Sequence, residues 1–402
     1  MGKIRIFLES IFNSNRFNLY AFGLIAVLII IAYSNTFTAS FHFDDNPAII
    51  ENPNIRHITT DNLIKILAVN RPVVNLSIML NYLLGGLNVV GWHIFNVGVH
   101  ITNSCFVYLL MLWTINLAAS EKDYSNQAKR MALFGALLFA VHPVQTESVT
   151  YIISRSELLA TFFYLAAFLF FIKGSLTKNK GYYVATIFSS ALSMGSKEWA
   201  VTLPALLMLY DYMFIAEGKT RVVLERWWMY VGVALTWWIV LSKLNLFAPA
   251  AASTGGVGFN ITSTTGITST TYLLTSFNVI WTYVRLLFLP INQNLDYDYP
   301  IAKTLLEFPT IISFMGHFIM VLASFWLYRK KGWLLIPFGV AWFYIGLSPV
   351  QSFVPVIDVI FEHRLYMPSI GFIIVFITTY EWLFDRLSSK HVEKKATQLG
   401  NV

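Results

Sequence analysis

Long apolar segments dominate this sequence and constrain its fold more than any other feature. Eleven of them recur, at about 17–37, 92–117, 131–150, 156–173, 181–196, 199–216, 227–247, 271–290, 309–328, 333–349 and 367–384. Charged residues make up 12% of the chain, about half the roughly 25% of an ordinary soluble domain. Because only helices and closed barrels satisfy their backbone in lipid, we predict an all-α polytopic membrane protein with about ten or eleven transmembrane helices.

The distribution of basic residues predicts the topology. Lys3, Arg5 and Arg16 precede the first apolar segment, which indicates an uncleaved first helix with a cytoplasmic N-terminus. The basic loops should also be cytoplasmic, namely 121–130, 173–181, 217–226, 328–332 and the tail 385–402. The remaining loops then face outward and collect most of the acids: 38–91, 142–157, 195–198, 248–270, 292–300 and 352–368.

One segment breaks the alternation of sides. Both flanks of 271–290 fall on the outer face, so this segment is either re-entrant or interfacial, or one assignment is wrong. The short apolar segment 71–86 is also too short for a span, and we expect an interfacial helix within the first external loop, 38–91. The Gly-, Ser- and Thr-rich segment 248–270 is typical of a flexible external loop that can act as a lid. We interpret residues 1–402 as one membrane-embedded domain.

The stretch SFHFDDNP places Asp44 and Asp45 where the first predicted helix leaves the membrane. Two adjacent carboxylates repel each other, which can raise the pKa of one of them. A carboxylate in such a position can act as a general base toward a hydroxyl group. The alternative is a solvated turn, because Asp before Asn-Pro is a common turn sequence.

The densest polar run, 142–160, contains His142, Glu147, Arg155 and Glu157. Arg155 can hold a phosphate oxygen, because guanidinium geometry matches that of phosphate. Glu147 or Glu157 can position Arg155 or bind sugar hydroxyls. The alternative is a loop with capping residues, since SRSE resembles a helix start.

Two further charged clusters lie between apolar segments. Lys197 and Glu198 either form a plain turn or place a lysine at a phosphate, and an external lysine departs from the positive-inside bias. Glu362, His363 and Arg364 are costly next to an apolar helix unless they are paired or hydrated. The alternative for these three residues is an interfacial anchor with a snorkelling arginine.

His93, Asn96 and His100 share one helical face. Their spacing is no zinc signature, and interhelical hydrogen bonds are the favoured interpretation. The single cysteine, Cys105, forms no intramolecular disulfide. No basic patch interleaved with aromatic residues indicates nucleic-acid binding.

Six motifs between residues 38 and 370 carry a family resemblance. They are FDDNPAIIENPNI, RPVVNLS, WHIFNVGVH, LFAVHPVQTESVTYIISRSELLA, SKEWAVTLPALL and FEHRLYMPSIGF. In this order they resemble the membrane part of the transmembrane O-mannosyltransferases with tetratricopeptide repeats, and of bacterial relatives, among the GT-C glycosyltransferases. The resemblance implies a GT-C-type helical bundle that uses a polyprenyl-phosphate-linked sugar. The sequence contains no such repeats, so the resemblance does not indicate the acceptor.

The resemblance also implies roles for individual residues. The family's acidic pair corresponds to Asp44 and Asp45, and its first member is the base, which favours Asp44. The family's HPV-TE and R-EL positions correspond to His142, Pro143, Glu147, Arg155, Glu157 and Leu158. Its late E-R-YxPS positions correspond to Glu362, Arg364, Tyr366, Pro368 and Ser369.

We therefore expect an inverting transfer of a hexose such as mannose from a polyprenyl phosphate to an acceptor hydroxyl, with Asp44 as general base. The expected site is the extracytoplasmic face of a prokaryotic plasma membrane. Cations would hold the donor phosphate: Arg155, Lys197, Arg364, His363 and Arg285. Other side chains would contact sugar or acceptor, or support those that do: His142, Glu147, Glu157, Glu198, Glu362 and Tyr366.

Two alternatives from other classes are a flippase for lipid-linked sugars and a polymerase or ligase that uses a diphosphate donor. Clustering of polar residues on one face, without an inverted repeat, favours the transferase. We expect no required cofactor, although two adjacent acids can bind a divalent ion. The acceptor, whether protein, lipid or glycan, stays open.

Overall fold

The computed structural model describes residues 16–118, 125–242, 267–330, 333–356 and 358–399. Each of the eleven apolar segments contains a helix, and these ranges contain no β-strand, which confirms the all-α prediction. The first eight helices are α1 (Phe17–Ala32), α2 (Thr60–Ala68), α3 (Pro72–Gly85), α4 (Val89–Ala118), α5 (Ser125–Val141), α6 (Thr146–Thr150), α7 (Arg155–Thr177) and α8 (Lys180–Met194). The others are α9 (Leu203–Tyr210), α10 (Thr220–Leu224), α11 (Trp227–Leu235), α12 (Trp237–Leu241), α13 (Ser269–Phe288), α14 (Phe308–Tyr328), α15 (Leu335–Leu347) and α16 (Ser369–Leu399).

Three stretches of the described chain are long and apolar enough to cross a bilayer. They are α4, α14 and the stretch Ile152–Thr177, which includes α7. Shorter apolar helices accompany them at Phe17–Ala32, Pro72–Gly85, Trp227–Leu241 and Leu335–Leu347. Helix α7 is largely buried inside the bundle, whereas α14 exposes large apolar side chains such as Phe318 and Trp326. The total of ten or eleven crossings stays a prediction.

The polar face of α4 is buried against neighbouring helices. His93 contacts the carbonyl of Ala39 at 3.0 Å, and the Asn96 amide donates to backbone carbonyls that follow α6 or lie within it. His100 Nδ1 lies 2.7 Å from the Tyr366 hydroxyl. These contacts confirm the prediction of interhelical hydrogen bonds along this face.

Helix α13 begins and ends at the same end of the bundle. Near its start, the Tyr272 hydroxyl donates to the carbonyl of Val350, which follows α15. Near its end, the carbonyl of Leu287 lies 3.0 Å from Nε2 of His142, which follows α5. His142 lies in a segment predicted to face outward, and Val350 lies just before another such segment, 352–368. This arrangement favours the interfacial alternative for 271–290.

Two other predicted segments, the flexible loop and the tail, lie only partly within the described residues. Most of the predicted flexible loop 248–270 lies outside the described residues, and Thr268 near its end caps α13 by accepting from the Thr271 amide. The predicted tail 385–402 continues α16 without interruption as far as Leu399.

Candidate active site

Segments that are distant in sequence meet at one end of the bundle, where α5 and α8 end and α7 and α16 begin. Arg71 from the first external loop pairs with Glu198, 127 positions away. Glu147 pairs with His363, 216 positions away. The segments predicted to face outward therefore form a common site.

The two adjacent aspartates have different surroundings. Asp45 is buried, and its carboxylate accepts from the backbone amides of Ile153 at 2.9 Å and His42 at 3.0 Å. Burial raises the pKa of Asp45, and these two hydrogen bonds oppose the rise. Asp44 is exposed, and its backbone amide donates to the Tyr151 hydroxyl at 2.9 Å. Asp45 thus ties the loop to the 142–157 hairpin, while the Asp44 carboxylate stays accessible.

A strained residue precedes this pair. Phe43 has a φ of 43°, in the left-handed region that residues with a side chain rarely adopt. Such strain persists where surrounding contacts fix the backbone, as the hydrogen bonds of Asp44 and Asp45 do here. The strain points to a function for this turn.

Glu157 holds Lys197 at the start of α7. The Lys197 ammonium lies 2.7 Å from one carboxylate oxygen, and the Trp199 indole donates to the other at 2.5 Å. Burial lowers the pKa of Lys197, and the Glu157 charge opposes that effect. The pair fixes a cation close to the bundle end.

Arg71 is a site residue that the sequence analysis did not single out. Its Nε and Nη2 atoms donate to the Glu198 carboxylate at 2.9–3.2 Å, while its side chain keeps 39% of its surface exposed. Burial lowers the pKa of Arg71, and the charges of Glu198, Glu157 and Asp44 together outweigh that effect and raise it. The missed signal was a cation in a predicted outer loop, the same departure from the positive-inside bias that marked Lys197.

Glu147 and His363 form a buried pair. One Glu147 oxygen lies 2.5 Å from His363 Nδ1, and the other accepts from the His363 backbone amide at 2.9 Å. Burial raises the pKa of Glu147 to about 7. Burial, followed by the nearby Lys197 charge, lowers the pKa of His363 well below its usual value.

Arg364 is a cation without a carboxylate at ion-pair distance in the described chain. Its guanidinium donates to the carbonyl of Val359 at 3.3 Å and lies over the Phe361 ring at 5.3 Å. Partial burial raises the pKa of the exposed Asp358, Arg364 opposes the rise, and Asp44 adds to it. The buried Arg364 and the exposed Asp44 therefore both act on the charge of Asp358.

Arg155 has a different environment from the one predicted. It is fully buried between the rings of Trp92 and Phe95, at 4.9 and 4.5 Å, and donates to the Asn81 side chain at 3.0 Å. No carboxylate of the described residues lies within ion-pair distance. These contacts favour a role in packing α7 against α3 and α4, and the predicted phosphate contact stays a prediction.

His142 and Tyr366 form hydrogen bonds within the protein. His142 accepts from the Val144 amide and joins the bundle to α13 through the Leu287 carbonyl. Tyr366 is fully buried in the core, with its hydroxyl against His100. Both contacts explain why these side chains are polar without requiring a substrate.

Glu362 and Arg285 hold the 291–302 loop. Glu362 accepts from the Asn294 amide at 2.8 Å and from the Tyr297 hydroxyl at 2.5 Å. Arg285 donates to the carbonyl of Ile291 at 3.0 Å. Among the described residues, no group of three His, Cys, Asp or Glu side chains is arranged to hold a metal ion.

Comparison with known proteins finds relatives that are all named protein O-mannosyl-transferases. The chain is 32% identical over 221 residues to protein O-mannosyl-transferase TMTC3 of Mus musculus, covering 49% of this chain and 22% of that protein. It is 27% identical over 230 residues to human protein O-mannosyl-transferase TMTC4, covering 50% of this chain and 30% of that protein. It is 25% identical over 344 residues to Xenopus laevis protein O-mannosyl-transferase tmtc2, covering 75% of this chain and 38% of that protein.

The chain thus spans less than half the length of these relatives. No protein-family model matches the chain. No solved structure matches it either. The resemblance that the six motifs predict is nevertheless confirmed: over about half its length or more, the chain is similar to protein O-mannosyl-transferases.

Proposed function

We propose that this protein is a membrane glycosyltransferase that moves mannose from a polyprenyl-phosphate donor to an acceptor hydroxyl. One observation carries the proposal: an exposed carboxylate, Asp44, lies in a turn hydrogen-bonded to the 142–157 hairpin, at the end of the bundle where distant segments bring the cations Arg71, Lys197 and Arg364. The names of the relatives favour mannose as the sugar and a protein as the acceptor.

The exposed aspartate is the general base of the proposed reaction. As the acceptor hydroxyl attacks the anomeric carbon, its proton passes to the Asp44 carboxylate. The bond from that carbon to the phosphate oxygen breaks on the opposite side, so a single displacement inverts the anomeric centre. Asp45 has a positioning role, because both of its oxygens accept from backbone amides.

The cations stabilise the leaving group. The donor is a phosphodiester with one negative charge, and the departing polyprenyl phosphate gains a second. Fixed positive charges at that position act on the transition state more strongly than on the bound donor. Glu157 and Glu198 orient Lys197 and Arg71, while Arg364 offers a charge that no nearby carboxylate neutralises.

The proposed site faces the extracytoplasmic side. Basic residues predominate in the loops predicted to be cytoplasmic, and the opposite end of the bundle holds the acids of the site. The donor's lipid tail would stay in the bilayer, with its phosphate at the interface. The described residues supply every step without a metal ion, so none is included in the proposal.

The experiment uses the purified full chain in bilayer nanodiscs. We expect it to release polyprenyl phosphate from polyprenyl-phosphate mannose when a membrane-protein fraction is supplied as acceptor, and to label that fraction with mannose. Label from a polyprenyl-diphosphate oligosaccharide alone would instead indicate the polymerase or ligase. Movement of intact donor across vesicles, without release of polyprenyl phosphate, would indicate the flippase.

A further inference from the structure

The His363 ring lies between two carboxylates. Its Nδ1 atom is 2.5 Å from Glu147, and its Nε2 atom is 3.9 Å from Glu157. All three side chains are at least 85% shielded from solvent. Because an imidazole holds one or two protons and a carboxyl group holds none or one, this chain of groups can exist with different numbers of protons.

The two carboxylates have different partners. Glu157 is bound by the Lys197 ammonium and the Trp199 indole. Glu147 lies against the His363 ring and accepts from the backbone amides of His363 and Glu362, and no lysine or arginine lies at ion-pair distance from it in the described chain. Burial holds its pKa at about 7, so its charge changes within the physiological range.

Other charged and titratable groups face this pair from every side. Lys197 and Arg364 lower the pKa of both Glu147 and His363, and Arg71 also lowers that of His363. Burial raises the pKa of Tyr151, and the charges of Asp44, Asp45 and Glu147 add to that rise. Within the pair, Glu147 is the member whose pKa lies near neutrality, whereas the pKa of His363 lies well below it.

The charges of the site balance when His363 is neutral. Three cations face three carboxylates: Arg71, Lys197 and Arg364 against Glu147, Glu157 and Glu198. Asp44 and Asp358 at the rim add negative charge. An incoming phosphodiester would contact Arg364, but while Glu147 is ionised its charge would make the partly buried site net negative, which is energetically costly.

We propose that the Glu147–His363 pair is a proton-binding site coupled to donor binding. The pair takes up about one proton from water when the monoanionic phosphodiester binds, and thereby restores the charge balance. It then keeps that proton beside the leaving phosphate, where the second negative charge develops. This inference rests on the proposed function, because it assigns the pair to the same phosphate site.

Thermodynamic linkage predicts the direction in which donor affinity changes with pH. An anion that binds near Glu147 raises the pKa of that carboxyl group, so binding takes up a proton wherever Glu147 is ionised in the free protein. Affinity should therefore fall as pH rises above the pKa of free Glu147. The slope is at most about tenfold per pH unit for one proton.

The test titrates the full chain in nanodiscs with a short-chain prenyl methyl phosphodiester, whose single charge does not change across the range. Affinities are measured calorimetrically from about pH 6 to about pH 9, in buffers with different heats of ionisation. Above about pH 7 we expect the wild-type affinity to decrease with a slope that approaches tenfold per pH unit. In the same range, the number of protons taken up per bound ligand should approach one. Glu147→Gln, which mimics the protonated acid, should bind with little pH dependence and without proton uptake.

Glu381→Gln is the matched control, because Glu381 is a buried glutamate that pairs with Arg130 in a different ion pair. It should keep the wild-type slope. Wild-type binding without proton uptake would overturn the coupling, and this measurement needs no variant to fold. An unchanged slope in Glu147→Gln would overturn the assignment to this pair. Absence of binding at every pH would instead overturn the proposed function, and the coupling with it.

Discussion

Buried ionic groups lie in two regions of the bundle, and they differ in how completely they are paired. In the region predicted to be cytoplasmic, Asp211 is fully buried, and both of its oxygens contact Arg226 at 2.9–3.0 Å. The Tyr230 hydroxyl donates to it at 2.7 Å. At the site end, Arg364 has no carboxylate at ion-pair distance in the described chain, and Arg71 stays partly exposed.

This difference distinguishes charged groups that stabilise the fold from charged groups that are available to a ligand. A buried ion pair with all its hydrogen bonds made is expected to have a structural role. Arg364, like the enclosed Arg155, lacks a carboxylate partner, but its charge acts on the exposed Asp358, where a ligand can approach. We therefore expect the Asp211 cluster to fix the packing of α9 against α11 and the Arg364 region to be the part of the site that binds an anion.

The largest expected effect breaks the structural cluster. Arg226→Met leaves the Asp211 carboxylate buried without its cation, and we expect a loss of about 3–5 kcal/mol in the free energy of unfolding. Denaturant titration in detergent checks this value. Transfer per folded molecule should stay close to wild type, and a large loss of turnover without loss of stability would contradict the distinction between the two regions.

The complementary change removes the cation that lacks a carboxylate partner. Arg364→Met should lower turnover by about 100- to 1,000-fold, the usual effect of removing one stabiliser of developing charge. Stability should change much less than in Arg226→Met, because no ion pair is broken. Initial rates of mannose transfer and a parallel unfolding titration measure both quantities; near-normal rates would exclude Arg364 from the phosphate site.

The smallest expected effect concerns the strained turn. Phe43→Gly removes the clash of a side chain at a φ of 43°, and we expect a gain of about 1 kcal/mol in stability. If the strain fixes Asp44 for catalysis, turnover should fall at the same time by several-fold. A gain in stability with unchanged turnover would make the strain incidental.

The sequence predicted the helices well because the lipid environment imposes long apolar segments. It also predicted which loops meet, since the positive-inside bias assigned them to one side. Residue type alone did not distinguish Asp44 from Asp45, and only the family resemblance favoured Asp44, because the difference in their burial depends on the Ile153 amide, 108 positions from Asp45.

The two arginines show the same limit. Arg155 and Arg71 carry the same charge in predicted outer segments, yet one is enclosed by Trp92 and Phe95 and the other pairs with Glu198. Only tertiary packing separates an arginine that stacks in the core from one that faces the site. Residue type and spacing therefore predict which side chains are candidates for the site, whereas tertiary packing decides which of them face it.

The central claim is that the exposed aspartate, and not its buried neighbour, accepts the proton. The most direct test measures mannose transfer by Asp44→Asn, with Asp61→Asn as the control, an exposed acid of the same loop that pairs with Lys65 at 2.7 Å. We predict a loss of at least about 100-fold in Asp44→Asn at unchanged donor affinity, and wild-type rates in Asp61→Asn. Turnover by Asp44→Asn near the wild-type rate would contradict the account.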